Sequence, residues 1–192
     1  AILAALRERE TSGCGQHCEL SLFDTQVSAL ANVAMSFLAT GVVPAPLGNA
    51  HGSIVPYETF PTADKPLLLA IGSDAQFAEL AACLGEPWAR DPRFAENRAR
   101  VAHRNELVAA LGARLREHPR DEWLRRFAGA GFPHGPVQDL GDLAADPHVR
   151  ARGLFTTMSD GTTPCLASPL RFSRTPVAEY NPPPALGSSA PV

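Results

Sequence analysis

Apolar residues recur at the spacing of an α-helix in several segments of the chain. Residues three and four positions apart lie on one side of a helix, so each segment predicts a helix with one buried face. Two segments open with a serine followed three residues later by a polar residue, Ser21 with Asp24 and Ser73 with Gln76, a pattern typical of helix starts. The predicted helices cover residues 1–10, 21–38, 73–84 and 103–117, with shorter helices starting near Pro119, Asp139 and Asp146.

Alternating polar and apolar residues predict short strands between these helices. The clearest runs are residues 54–60 and 67–71. A mixture of short strands and amphipathic helices indicates an α/β fold. Further strand candidates are residues 17–22, 135–137, 154–157 and 170–172.

Prolines divide the chain into parts. Pro44 and Pro46 predict a stiff linker, because proline fixes one backbone torsion angle. From Thr175 the chain is rich in proline, serine and alanine, which predicts an extended tail. We therefore expect three parts: residues 1–47, a small α/β domain at 48–153, and a return segment with a proline-rich tail at 154–192.

Composition narrows the classes of protein. Twenty acidic residues against seventeen basic ones give a net charge of −3, which argues against a protein dedicated to nucleic acids or membrane surfaces. No apolar run approaches the roughly 20 residues needed to span a bilayer. Four irregularly spaced cysteines indicate reduced thiols, so we expect a cytoplasmic protein with no membrane or nucleic-acid partner.

The first predicted helix begins at Ala1 with no residue suited to cap its N-terminus. A helix that begins within its apolar pattern predicts a fragment whose natural sequence continues upstream. The alternative is a processed terminus, although cleavage sites fall more often in flexible tails.

Motifs along nearly the whole chain resemble those of the class III CoA-transferases, a family that includes formyl-CoA and carnitine-CoA transferases and α-methylacyl-CoA racemases. The central motifs are G-N-A-H at 48–51, V-P-Y-E-T-F-P-T-A-D at 55–64 and L-A-I-G-S-D-A-Q-F at 69–77. The flanking motifs include L-S-L-F-D-T-Q-V-S-A-L at 20–30, D-P-R-F-A-E-N-R-A-R-V at 91–101, A-G-F-P-H-G-P-V at 130–137 and A-D-P-H-V-R-A-R-G at 145–153.

The resemblance implies the C-terminal part of such an enzyme: the end of a Rossmann-like large domain in residues 1–47, followed by the small α/β domain. It implies transfer of CoA between an acyl-CoA thioester and a carboxylic acid through an aspartyl mixed anhydride. The nucleophilic aspartate would lie upstream of Ala1, so the chain alone would contain no catalytic nucleophile. Coenzyme A would be a substrate, no metal or other cofactor would be needed, and the full-length protein would be a homodimer.

Two other functions remain open at this point. An acyl-CoA racemase of the same family would use an acid/base pair instead of an anhydride. A non-catalytic, acyl-CoA-binding remnant would retain the fold without the reaction.

The predicted substrate-binding residues lie in the loop at 48–53, in the strand after it and at the start of the helix at 74. Glycines expose backbone amides that can hold a thioester or carboxylate oxygen. The alternative to substrate binding is a structural role for His51 and helix capping for Asp74 and Gln76. The six predicted residues are Gly48, Asn49, His51, Tyr57, Asp74 and Gln76.

Other polar clusters have simpler interpretations. Cys14, His17 and Cys18 are close enough to suggest a metal site, but a second ligand pair at zinc spacing is missing, so we expect none. The arginines between residues 90 and 126 predict a solvated helical face with local ion pairs, with CoA phosphate binding as the alternative. Two places in the chain depart from the family pattern. Lys65 stands where the family commonly has a glycine, and Ser188 and Ser189 stand where it tends to have an acidic residue and a histidine.

Overall fold

The computed structural model describes residues 1–188. Contacts divide the chain into two units, residues 1–48 and the residues from Asn49 onward. The sequence predicts boundaries after residues 47 and 153, and this three-part division stays a prediction. The last four residues of the predicted tail, 189–192, lie outside the described part of the chain.

The first unit contains three helices: α1 (Ile2–Ser12), α2 (Leu22–Ala29) and α3 (Ala31–Thr40). The Ser21 side chain accepts a hydrogen bond from the backbone N–H of Asp24, which confirms the predicted helix start. None of the residues in these helices is buried. Their apolar side chains therefore face solvent in this chain.

Two predictions for this unit are wrong. Residues 17–22 do not form a strand, because a strand needs a neighbour to bond and none of the described residues of this unit supplies one. The single helix expected at 21–38 is broken at Leu30, where α2 and α3 meet at a bend of 69°. The Leu30 N–H bonds the carbonyl of Val27 rather than continuing the helical pattern. The apolar spacing continues through Leu30, so the sequence pattern did not indicate the break.

None of the described helices alone is long and apolar enough to cross a membrane. The bent pair of α2 and α3 meets that test together, on length and composition only.

The described part of the second unit contains two small antiparallel sheets. Strands β1 (Tyr57–Phe60), β2 (Leu67–Ala70) and β3 (His134–Pro136) lie in the order β1-β2-β3. Tyr57 faces Ala70 across the first pair, and Leu67 faces Pro136 across the second. The second sheet pairs β4 (Phe155–Thr157) with β5 (Pro164–Leu166). A strand at 170–172 was expected, but residues 164–166 take that place.

Between residues 49 and 188, six helices and a short 3-10 turn complete this unit. Helix α4 begins after Ser73, whose side chain accepts from the Gln76 N–H as the sequence predicts. The core is formed by apolar residues of β1, β2, α4, α6 and α7, with Trp123 fully buried among them. The elements are α4 (Asp74–Leu84), the 3-10 turn (Pro87–Arg90), α5 (Asn97–Ala102), α6 (Arg104–Leu115), α7 (Arg120–Arg126), α8 (Leu140–Ala145) and α9 (Pro147–Ala151).

Asp64 closes the turn between β1 and β2. Its Oδ1 accepts hydrogen bonds from the backbone N–H groups of Arg120 (2.7 Å) and Lys65 (2.6 Å) and from the Thr62 hydroxyl (2.9 Å). These donors, the Arg120 N–H foremost, lower the pKa of Asp64 from 3.8 to about 2. Lys65 lies beside it and pairs with Asp142 of α8 at 2.7 Å, so the residue that departs from the family pattern has a local structural partner.

We expect Asp64→Asn to make acid unfolding less steep. A carboxyl whose pKa is lowered on folding stabilises the fold above its unfolded pKa near 4, and this contribution is lost as pH falls toward 2. Urea unfolding at a series of pH values from 5 to 2 would measure the change. Glu179→Gln is the control, because Glu179 is exposed and has no hydrogen bond within residues 1–188. Equal pH slopes for Asp64→Asn and wild type would contradict the assignment.

Candidate active-site loop

The segment from Asn49 to Val55 folds back on β1; we call it the His51 loop. Asn49 is held by Thr59: its Oδ1 accepts from the Thr59 N–H at 3.0 Å, and its Nδ2 donates to the Thr59 hydroxyl at 2.8 Å. The His51 N–H donates to the Tyr57 carbonyl at 2.9 Å. The His51 and Tyr57 rings are stacked, with centroids 5.3 Å apart. Two predicted residues are therefore in direct contact.

The His51 ring has a defined tautomer when neutral. The Ser53 N–H donates to His51 Nδ1 at 3.1 Å. A backbone N–H can only donate, so Nδ1 must accept, and the ring proton is on Nε2. His51 thus keeps one N–H donor that this loop does not use.

Asp74 and Gln76 lie in the first turn of α4 and both have structural partners. Gln76 accepts from the Gly72 N–H at 2.8 Å and donates to the Gly131 carbonyl at 3.2 Å. Asp74 Oδ1 accepts from the backbone N–H of Asn97 at 2.9 Å and from Arg100 Nη2 at 2.7 Å. The Asp74 side chain remains 53% exposed, which leaves its other oxygen accessible.

Arg100 connects Asp74 to the His51 loop. Its guanidinium is fully buried and lies over the Phe77 ring, 4.4 Å from the centroid. Nε donates to the Val55 carbonyl at 2.7 Å, and Nη1 donates to the Phe94 carbonyl at 2.9 Å. A buried charge is stable only when its donors are paired, and here they are.

Two further side chains hold the loop backbone. Asn97 Nδ2 donates to the Ser53 carbonyl at 2.9 Å, and Asn97 Oδ1 accepts from the Val55 N–H at 3.2 Å. Arg104 Nη2 donates to the carbonyls of His51 (2.8 Å) and Gly52 (3.0 Å). The loop is therefore bound to the start of α5 and the start of α6.

The other amino group of Arg104 faces Glu58. Arg104 Nη1 lies 3.8 Å from Glu58 Oε1, and both atoms are buried without a hydrogen-bond partner in the described residues. Burial raises the pKa of Glu58, while the charge of Arg104 opposes that shift. The pair places a cation and an acidic group directly beneath the loop.

The prediction of a solvated arginine face is wrong for three arginines. Arg100 is fully buried, and the side chains of Arg104 and Arg120 are only 16% and 10% exposed. Others do form the expected surface ion pairs, such as Arg93 with Asp91 and Glu106. Asn97, Arg100 and Arg104 were not predicted as site residues. Asn97 and Arg100 are three positions apart on α5, and this spacing, which places them near one helical face, was the available signal for that pair. Arg104 begins the separate helix α6.

The six predicted residues are only partly brought together. His51 and Tyr57 touch, and Asp74 is joined to their loop through Asn97 and Arg100. Gly48 lies in the first unit and adopts a φ of 62°, a left-handed conformation that favours glycine. Cavities of about 320 and 360 Å³ lie against residues 167–180 and 101–106, and none of the six residues lines either one. Among residues 1–188, no group of three or more His, Cys, Asp or Glu side chains is arranged to hold a metal ion.

Comparison with known proteins gives consistent results. The chain is 41% identical to a succinate–glutarate CoA-transferase of Agrobacterium fabrum over 97% of its own length and 48% of that protein. It is 36% identical to a succinyl-CoA:glutarate CoA-transferase of Mus musculus, covering 97% of this chain and 44% of that protein. The crystal structure of a CAIB/BAIF family protein from Brucella suis matches with a TM-score of 0.76 and 40% identity, covering 95% of this chain and 48% of that chain.

The chain spans about half the length of the curated relatives that it matches. The sequence pattern of CoA-transferase family III matches residues 1–190. That match includes both structural units and the His51 loop. The chain therefore belongs to CoA-transferase family III.

Proposed function

We propose that this chain is the C-terminal half of a CoA-transferase that moves CoA between an acyl-CoA thioester and a carboxylic acid. The observation that carries the proposal is the 41% identity to a succinate–glutarate CoA-transferase over 97% of the chain. Both curated relatives named above have glutarate in their names. Short dicarboxylic acids are accordingly the first acceptors to test.

The proposed mechanism is covalent. An aspartate carboxylate, upstream of Ala1 in the complete protein, attacks the thioester carbonyl of the donor. The new carbon–oxygen bond forms a mixed anhydride, and the carbon–sulfur bond breaks with release of CoA thiolate. The acceptor carboxylate then attacks the aspartyl carbonyl and displaces the donor acid as its carboxylate, which leaves a new mixed anhydride. The thiolate attacks the acceptor acyl carbonyl of this anhydride, so the product thioester forms and the aspartate carboxylate is released.

In this mechanism the His51 loop covers the reacting acyl group. The proton on His51 Nε2 is available to a substrate oxygen, because Nδ1 is occupied by the Ser53 N–H. Asp74 lies at the opposite end of the network and retains one accessible carboxylate oxygen, and Gln76 lies in the same first turn of α4. Gly48, Asn49 and Tyr57 shape and support the loop.

The racemase and the non-catalytic remnant remain formal alternatives. Neither has a specific observation in its favour, and both curated relatives described above are named transferases.

We also propose that the complete protein is a cytoplasmic homodimer. Large apolar side chains on α2 and α3 are exposed, including Phe23 at 77% and Leu38 at 71%. Exposed apolar faces of this kind are typical of interfaces. All four cysteines are free, as suits a reducing compartment.

The test is an assay of the complete protein with succinyl-CoA and glutarate. We expect formation of glutaryl-CoA, and we expect hydroxylamine to inactivate the enzyme only when acyl-CoA is present, because it traps the activated aspartyl carbonyl. Malonate, glutarate and adipate, compared at equal concentration, would define the acceptor size. If CoA is transferred to none of these acids, the proposed function is contradicted. If transfer occurs but hydroxylamine does not inactivate the enzyme, the anhydride step is contradicted.

A further inference from the structure

The carbonyl groups of the His51 loop are held from one side. Those of His51, Gly52, Ser53 and Val55 each accept a hydrogen bond from a side chain between positions 97 and 104. Three different side chains supply these bonds, namely Asn97, Arg100 and Arg104. Four of the seven carbonyls in this loop, which has no regular secondary structure, are thus fixed by side chains.

Fixing a carbonyl also fixes the amide that follows it. The peptide bonds after His51, Gly52 and Ser53 are trans, and in a planar trans peptide the C=O and N–H point in opposite directions. The Gly52 N–H is therefore directed away from Arg104, and the Ile54 N–H is directed away from Asn97. Neither amide has a hydrogen-bond partner within residues 1–188.

The Ser53 amide supports this geometry. Its preceding carbonyl, that of Gly52, is bound by Arg104, while the Ser53 N–H donates to the His51 ring. The His51 ring consequently lies on the side of this peptide away from Arg104. The free amides of Gly52 and Ile54 also point away from the side chains that hold their preceding carbonyls.

Arginine suits position 104 for a geometric reason. One amino group, Nη2, bonds two successive carbonyls, while Nη1 lies over Glu58. The planar guanidinium can face both partners at once, whereas a lysine ammonium on a flexible chain cannot hold the same arrangement.

We propose that Asn97 and Arg104 are positioning residues that preset the Gly52 and Ile54 amides to bind the acyl oxygen. This inference rests on the proposed transferase function. As the carboxylate adds to the thioester carbonyl, the carbonyl π electrons move to oxygen, and the two N–H groups stabilise that oxyanion until the carbon–sulfur bond breaks. Donors fixed in advance are effective because they need no reorganisation during the reaction.

The test compares Arg104→Met and Arg104→Lys with the control Arg98→Met in the complete protein. Arg98 lies on α5 and is exposed, and its side chain makes no hydrogen bond within the described residues. Two readouts are measured: hydrogen exchange of a peptide spanning residues 49–56, and the rates of CoA transfer and of thioester hydrolysis. Thermal melting confirms that each variant is folded.

We expect Arg104→Met to speed exchange of the loop peptide at least tenfold and to lower kcat for transfer about 10- to 100-fold. The ratio of hydrolysis to transfer should rise, and KM for acyl-CoA should change less than kcat. Arg104→Lys should recover part of the transfer rate, and Arg98→Met should match wild type in both readouts.

The outcomes test separately whether Arg104 holds the His51 loop and whether the held loop is needed for catalysis. Unchanged loop exchange in a folded Arg104→Met variant would show that Arg104 does not hold the loop. Faster exchange with a wild-type transfer rate and ratio would show that the held conformation is not needed for catalysis. Either result overturns the inference. If the wild-type protein transfers no CoA, the proposed function fails, while hydrogen exchange still decides whether Arg104 holds the loop.

Discussion

Replacing Arg100 with methionine is expected to lower the free energy of unfolding by about 3–5 kcal/mol. Methionine fills much of the same volume but donates no hydrogen bonds. The carbonyls of Val55 and Phe94 would lose their donors in a buried setting, and Asp74 would lose its ionic partner. Buried polar groups without partners carry most of the cost.

Chemical denaturation of the complete protein, followed by circular dichroism, would measure this change. Arg98→Met on the same helix is the matched control and should stay within about 0.5 kcal/mol of wild type. A loss below about 1 kcal/mol for Arg100→Met would mean that the guanidinium is not essential to this part of the core.

The 192-residue chain by itself is expected to transfer no CoA, at least about 10⁴-fold below the complete protein. The reason is that the aspartate nucleophile is proposed to lie upstream of Ala1 in the complete protein. Without it no anhydride can form, and positioned amides alone cannot replace a covalent step.

Co-expression of the two halves as separate chains provides the sharpest comparison. Transfer should return when both halves are present and should disappear again when the upstream aspartate is changed to asparagine. Transfer by the isolated 192-residue chain would contradict the assignment of the nucleophile.

Local features of the fold could be predicted from sequence. The serine caps at Ser21 and Ser73 were correct, because a cap depends on residues only three positions away. The strand at 54–60 was too long, since Ile54 and Val55 belong to a loop held by Asn97 and Arg100. No local pattern reveals partners more than 40 residues distant.

The residues of the candidate site could likewise be predicted only in part from the sequence. Motifs identified His51 and Tyr57, and their rings do stack. Arg100 and Arg104 were assigned to a solvated face because acidic residues are interspersed among the arginines of this region and predict local ion pairs. Their partners are mostly backbone carbonyls of a distant loop, which carry no sequence signature.

The three-stranded sheet is poorly suited to pair with a strand of another molecule at its β3 edge. β3 is an edge strand, and the Val137 N–H after it faces β2 by donating to the Pro66 carbonyl at 3.1 Å. Adjacent residues in a strand direct their N–H groups to opposite sides, so position 136 faces outward, where proline has no N–H to offer. A strand from another molecule therefore finds this edge both short and missing a donor, and it is a poor template for the growth of intermolecular β-structure.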